Sequence, residues 1–147
     1  MKTIRRFKVS VVREKVDQES VYGNSVNEPS DAVVVIRHAL SDSGVEGFVS
    51  VSLDIKNRVI GYALVGCGSV DYCQADPREV FRAAIVNGAS AVIVGHNHPS
   101  GCVTPSTEDL LLTERLKDAG ALLGLPLLDH IIVTDSTHNS LAEMGVI

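Results

Sequence analysis

Residues 90–109 read SAVIVGHNHPSGCVTPSTED, and this stretch predicts a strand, a loop and the start of a helix in succession. The nearly continuous apolar run at its beginning is typical of a buried strand, and it leads directly into His96. Residues two apart in an extended chain point to the same side, so His96 and His98 converge while Asn97 points away. The following Pro99 favours the extended conformation of His98, because the residue before a proline is pushed out of the helical region.

The second half of the stretch predicts a helix start that carries a carboxylate. Ser106 is a good N-cap, and Asp109, three residues later, faces the same helix end. An apolar stripe runs from Asp109 through Leu112, Leu116 and Leu123 at helical spacing, which places Asp109 on the inward face. A buried carboxylate needs a partner, and a metal ion is one. The alternative is that Ser106 and Asp109 form only a capping box, and capping is compatible with metal binding.

The residue types and their spacing favour a catalytic zinc site. Two histidines and one aspartate supply three protein ligands and leave the fourth tetrahedral position for water. The chain has no CxxC pair for a structural zinc site, no HExxH helix, and neither half of the H-x-E and P-C-x-x-C pattern of zinc deaminases. The letters HNH do not indicate an HNH nuclease, whose residues are spread over a different fold element.

The motif carries a family resemblance. The arrangement His96-x-His98, seven residues, Ser106-x-x-Asp109 resembles the JAMM motif of JAB/MPN metalloproteases. The surrounding sequence, residues 54–133, is similar to the bacterial RadC-like JAB domain, and the likeness extends over roughly residues 31–147. It implies an α/β fold in which a mixed β-sheet is covered by helices, the JAB/MPN or cytidine-deaminase-like sandwich. It also implies one Zn²⁺ per chain, held by His96, His98 and Asp109.

The resemblance assigns roles to two further residues. JAMM enzymes use an upstream glutamate on a strand, and the matching position is Glu46 in the segment Val45-Glu46-Gly47-Phe48. Glu46 would act as general base toward the zinc-bound water and then protonate the leaving amine. Ser106 would donate a hydrogen bond to the developing oxyanion. Without the resemblance, Glu46 reads as a solvated residue at a strand edge.

These features predict a zinc-dependent metallohydrolase that acts on a peptide or isopeptide bond of a peptide or protein substrate. Two alternatives stay open: a protein associated with DNA repair or recombination, which is the historical label of the family, and a metal-binding interaction module without catalysis. The net charge of −5 disfavours nonspecific nucleic-acid binding. The basic cluster Lys2, Arg5, Arg6 and Lys8 is the one local feature that would suit nucleic acid, but we interpret it as the exposed face of an edge strand, where charges discourage aggregation.

Length and composition indicate a single domain. The 147 residues suffice for one core, and we expect an N-terminal strand and loop over residues 1–30 and a core over 31–147. Longer RadC proteins carry an N-terminal helix–hairpin–helix module, which this sequence lacks, so we expect a short stand-alone form or a domain of a longer protein. The chain shows no signal peptide, membrane span or cysteine framework, which favours a cytoplasmic protein. An edge strand is able to pair in a homodimer.

The pattern along the chain predicts strands that alternate with helices, with one hairpin. The expected elements are a strand at 3–15, a polar loop at 17–29, a helix from Ser30 to about Leu40, strands at 48–53 and 59–65 around a turn at Lys56-Asn57, a helix between Asp76 and Gly88, the strand at 90–95, the helix at 106–123, a strand at 127–134 and a tail that includes 140–144.

Two residues near the motif are open to more than one interpretation. His130 is either a partner of a metal ligand or a hydrogen-bonded core histidine. Cys102 is either an extra zinc ligand, which would block the open position, or an inert loop cysteine.

Overall fold

The fold is α/β, a mixed sheet with helices on both faces, as the sequence predicts. A computed structural model describes residues 21–41, 45–67 and 75–147. The predicted strand at 3–15 and the basic cluster at its start lie outside these residues. The described helices are α1 (Pro29–Leu40), α2 (Pro77–Asn87) and α3 (Thr107–Leu123), and the strands are β1 (Gly47–Leu53), β2 (Val59–Cys67), β3 (Ala91–Asn97), β4 (Leu127–Val133) and β5 (His138–Ser140).

The strands form one sheet in the order β2-β1-β3-β4-β5 within the described part of the chain. The central strand β3 pairs antiparallel with β1 and parallel with β4, and the other pairings are antiparallel. The hairpin between β1 and β2 turns at Asn57, whose positive φ of 55° agrees with the predicted turn at Lys56-Asn57. The mixed sheet therefore places β3, which carries the histidine motif, between two neighbours.

Alternate residues of β3 enter two separate cores. Ala91 and Ile93 pack beneath α1, whereas Val92 and Val94 pack beneath α2 and α3. A side chain at Gly95 would lie 2.5 Å from Cδ1 of Ile36, so α1 approaches this strand closely. The even-numbered series continues to His96, and this alternation directs His96 to the face of the sheet that α3 covers.

The ends of α2 follow the predicted signals. The Asp76 carboxylate accepts a hydrogen bond from the backbone N–H of Arg78 at 2.8 Å, and Gly88 ends the helix with a left-handed φ of 67°. Hydrogen bonds and the charge of Arg78 lower the pKa of Asp76 to about 2, so the cap remains ionised. Apolar residues at helical spacing predict a buried face made of Val80, Phe81, Ala84 and Ile85. The first three are buried, but the prediction is wrong at Ile85, which is 57% exposed.

Two other details of the prediction are wrong. Helix α1 begins at Pro29 rather than after a Ser30 cap, because proline suits the first helical position and the Asp31 carboxylate accepts the N–H of Glu28. Leu123 is half exposed, since the buried stripe of α3 passes through Thr113, Leu116 and Gly120.

The predicted C-terminal tail contains the short strand β5, which pairs with β4. The buried Asp129 stabilises this end of the sheet: its carboxylate accepts hydrogen bonds from the Ser140 hydroxyl at 2.6 Å and the Ala142 N–H at 3.0 Å. Among the described helices, none has the length and apolar character needed to cross a bilayer.

Candidate metal centre

The two histidines of the motif meet at the end of β3. His96 is 1% exposed and packs against Phe48, the residue opposite it on β1, with nearly parallel rings 5.8 Å apart. His98 follows the strand and is partly buried. The Nε2 atoms of His96 and His98 lie 2.9 Å apart, so the convergence expected from residues two apart is present in the geometry.

The Asp109 carboxylate reaches the same point from the first turn of α3. Its two oxygens lie 3.2 Å from Nε2 of His96 and 3.4 Å from Nε2 of His98. Asp109 also caps its helix, because its carboxylate accepts the Ser106 N–H at 2.8 Å and the Ser106 hydroxyl accepts the Asp109 N–H at 3.1 Å. Capping and approach to the histidines thus coexist, and a capping box alone does not describe this pair.

The electrostatics of Asp109 are set by opposing effects. Burial raises the pKa of this carboxyl, but the hydrogen bond and charge that His96 supplies in its protonated form, together with hydrogen bonds from Ser106, outweigh burial and hold the pKa far below its ordinary value. Asp109 is therefore an anion throughout the neutral range.

The backbone determines the tautomer of His98. Its Nδ1 lies 2.8 Å from the carbonyl oxygen of Cys102, which accepts hydrogen bonds and has no proton to donate. Nδ1 therefore carries the hydrogen and donates it. In the neutral ring this leaves the lone pair of Nε2 directed at His96 and Asp109.

A buried relay determines the tautomer of His96. The Thr113 hydroxyl donates to the backbone carbonyl of Asp109 at 2.6 Å, because two oxygens this close need a proton between them. Thr113 therefore accepts from Nδ1 of His130, also at 2.6 Å, and the Nε2 atom of neutral His130 accepts from Nδ1 of His96 at 2.8 Å. Burial lowers the pKa of His130 well below its usual value, which keeps that ring neutral.

In their neutral forms both histidines thus present an Nε2 lone pair to one point that also faces the Asp109 carboxylate. Three acceptors within 3.4 Å of one another repel unless a positive charge lies among them. Two imidazoles and one carboxylate are the ligand types and the number found in open catalytic zinc sites. The donor set therefore fits a divalent metal ion.

Glu46 approaches the same imidazoles from the position just before β1. One carboxylate oxygen of Glu46 and the nitrogens of His96 and His98 all lie within 4.8 Å of one another. Glu46 is partly exposed, unlike His96. The structure thus brings together His96, His98, Asp109 and Glu46, while Ser106 adjoins them through Asp109.

The geometry also bears on the two residues whose interpretation was open. His130 is a buried, hydrogen-bonded core histidine and at the same time the partner of His96. Cys102 contacts His98 through its backbone, and hydrogen bonding with Thr104 lowers the pKa of its exposed thiol. Sequence reasoning missed Thr113, although its place four residues after Asp109 on the buried stripe was a usable signal.

The sequence of the chain matches a known protein family. The sequence model of the RadC-like JAB domain matches residues 26–146. The chain belongs to the RadC-like JAB domain family. Its relatives include a UPF0758 protein of Gloeothece citriformis, 44% identical over 79% of this chain and 48% of the relative. A UPF0758 protein of Staphylococcus epidermidis is 41% identical over 90% of this chain and 59% of the relative.

A third relative, a UPF0758 protein of Caldanaerobacter subterraneus, is 42% identical over 82% of this chain and 52% of that protein. This RadC-like chain therefore spans about half to three fifths of the length of the curated relatives it matches.

Proposed function

We propose that this RadC-like protein is a zinc-dependent metallohydrolase that cleaves a peptide or isopeptide bond. The observation that carries the proposal is the convergence of His96 Nε2, His98 Nε2 and the Asp109 carboxylate within 3.4 Å of one another, with Glu46 beside them. Membership of the JAB domain family supports the same chemistry.

Zinc suits this donor set better than the common hard cations. Imidazole nitrogen is a preferred zinc ligand, whereas Mg²⁺ and Ca²⁺ take oxygen ligands. His96, His98 and Asp109 would hold the ion and leave one tetrahedral position open. A zinc ion in such a site lowers the pKa of water to about 7 and polarises a substrate carbonyl.

Glu46 has the position and the accessibility of a proton carrier. One carboxylate oxygen lies within 4.8 Å of a nitrogen of each imidazole, and the side chain stays partly exposed, so that it is able to take a proton from attacking water. The same carboxyl then donates that proton to the leaving amine. Amide cleavage needs such a donor, because an unprotonated amine is a poor leaving group.

Ser106 has a hydrogen to offer the developing oxyanion. Its hydroxyl oxygen accepts the Asp109 N–H, and this bond uses one lone pair but not the hydroxyl hydrogen. The exposed side chain is therefore able to donate toward a carbonyl oxygen bound beside Asp109.

The first experiment is elemental analysis of the purified protein after zinc reconstitution, for the wild type, Asp109→Asn, Glu46→Gln and Glu108→Gln. Asp109→Asn retains a side-chain oxygen for the Ser106 N–H but removes the anionic ligand, whereas Glu108 is an exposed neighbour that serves as control. We expect about one zinc per chain in every protein except Asp109→Asn.

The second experiment is hydrolysis of a peptide and an isopeptide substrate library by the zinc-loaded proteins. We expect Glu46→Gln to keep its zinc and lose cleavage by at least about 100-fold. A wild type that binds no zinc overturns the proposal and favours an interaction module. Zinc binding with equal activity in the wild type and Glu46→Gln overturns the role of Glu46.

A further inference from the structure

The side chain of Asn97, between the two histidines, hydrogen-bonds to the backbone on both sides of Glu46. Its Oδ1 accepts the Gly47 N–H at 2.6 Å, and its Nδ2 donates to the Val45 carbonyl at 3.2 Å. The Val45 carbonyl belongs to the peptide unit before the Glu46 Cα, and the Gly47 N–H belongs to the unit after it. One amide group therefore fixes both peptide planes that determine the backbone angles of Glu46.

The pairing of β1 with β3 explains why Asn97 is placed to do this. The backbone register runs from Leu53 opposite Ala91 to Phe48 opposite His96. Continued by one residue, this register would set Gly47 opposite Asn97. There the side-chain amide of Asn97 supplies the acceptor for the Gly47 N–H and the donor for the Val45 carbonyl, in place of a backbone partner.

Continued for two residues beyond its last pair, Phe48 and His96, the same register would set Glu46 opposite His98. Side chains directly opposite each other on antiparallel strands have Cβ atoms about 5 Å apart, which is within reach of a carboxylate and an imidazole. The amide of Asn97 thus extends the ladder just far enough to bring Glu46 to the histidines.

We propose that Asn97 is a positioning residue that holds the Glu46 carboxylate against His96 and His98 without binding the metal itself. The inference rests on the proposed function of Glu46 as the proton carrier. Asn97, which lies between the two proposed ligands in sequence, thus acts by orienting Glu46. In contrast, the tautomers of the ligands are determined by Cys102 and His130 on other elements.

Two substitutions separate the contributions of the amide. Asn97→Leu keeps a similar shape and removes both hydrogen bonds. Asn97→Asp keeps the acceptor for the Gly47 N–H but turns an oxygen toward the Val45 carbonyl, where two acceptors repel. The matched control is Asn87→Leu, because Asn87 bonds to Ser52 at the opposite end of β1.

The kinetic test compares kcat, KM and zinc content of these variants, alone and combined with Glu46→Gln. We expect Asn97→Leu to keep about one zinc per chain and its KM while kcat falls about 10- to 100-fold, since a displaced catalytic group costs up to about that much. In the Glu46→Gln background, Asn97→Leu should lower kcat no further. A loss that multiplies with that of Glu46→Gln, or a loss of zinc, overturns the inference.

A second readout needs neither zinc nor activity. In the metal-free protein, NMR of the Glu46 side-chain carboxyl should show its chemical shift move toward that of a solvated glutamate in Asn97→Leu, and not in Asn87→Leu. An unchanged shift overturns the inference even if the protein hydrolyses nothing. If Asn97→Leu does not fold, Asn97→Asp carries both measurements, because it retains the bond to Gly47.

Discussion

Nε2 of His130 lies 2.8 Å from Nδ1 of His96, and this hydrogen bond between the two rings is buried beneath α3. Through Thr113 this contact continues to the backbone carbonyl of Asp109. The relay therefore joins two of the three proposed metal ligands and leaves the metal-facing nitrogen of His96 unprotonated. Partners of this kind orient the ligand ring and raise its basicity.

Removing the acceptor from the relay should weaken zinc binding. In His130→Phe, the Nδ1 hydrogen of His96 loses its partner, and we expect zinc affinity to fall about 10- to 100-fold. His130→Gln should restore much of that affinity, because the amide oxygen of glutamine is able to accept at the position of Nε2. Competition with a fluorescent zinc chelator measures both.

Thr113→Val tests the other end of the relay. Valine has nearly the shape of threonine, but it leaves the Nδ1 hydrogen of buried His130 without an acceptor, which costs about 1–3 kcal/mol of unfolding free energy. Urea unfolding of the metal-free protein measures this loss. Equal zinc affinity in the wild type, His130→Phe and Thr113→Val would refute the relay.

Ser106 combines a structural and a proposed chemical role that substitution can separate. Ser106→Ala removes the cap of α3 and should cost about 1 kcal/mol of unfolding free energy, whereas Ser106→Gly should cost only a few tenths. Both variants lack the hydroxyl, so kcat should fall about 100- to 1,000-fold in each. Full activity in Ser106→Gly would show that Ser106 caps α3 and has no role in the reaction.

Cys102→Ser should leave zinc content and affinity unchanged, because the group that contacts His98 is the backbone carbonyl of residue 102. The comparison variant is His98→Ala, which removes a proposed ligand. Elemental analysis and chelator competition distinguish the two. If Cys102→Ser instead loses zinc as His98→Ala does, the thiol is a ligand and the proposed open position is filled.

Much of the fold follows from local signals in the sequence. The alternation of apolar residues in β3, the Asp76–Pro77 start of α2 and the Gly88 end each determine their element through short-range physics. The expectations that failed depend on tertiary contacts. Leu123 matches the helical period of α3, but it is the last residue of the helix and half exposed, and β5 forms because β4 offers it an edge.

Some residues of the candidate site also follow from local sequence signals, whereas others depend on tertiary contacts. The spacing of His96, His98 and Asp109 is local, so the sequence predicts their convergence. Glu46 emerges only from family resemblance, because its approach depends on the register between β1 and β3. The contacts of Asn97 depend on which strand lies opposite, and no pattern within its own segment indicates them. The position of Thr113 on the buried stripe of α3 marks it as an inward-facing residue, but its partner His130 depends on how α3 packs on β4.

The position of α3 against the sheet depends on a close approach at Gly120. A Cβ added there would lie 2.4 Å from the carbonyl oxygen of Leu125 and 3.2 Å from Cζ of Phe81. Helix propensity alone predicts that Gly120→Ala stabilises the protein by about 1 kcal/mol. The overlap with a backbone oxygen opposes this gain, and we expect a net loss of about 1–3 kcal/mol on urea unfolding.

The control is Ala121→Gly, the reverse change at the exposed neighbouring position, which should lose up to about 1 kcal/mol through propensity alone. Because α3 also carries Asp109, the shift forced by Gly120→Ala should weaken zinc binding, whereas Ala121→Gly should not. A Gly120→Ala protein that is more stable than the wild type and binds zinc equally well would show that α3 moves freely at this contact without disturbing the proposed ligands.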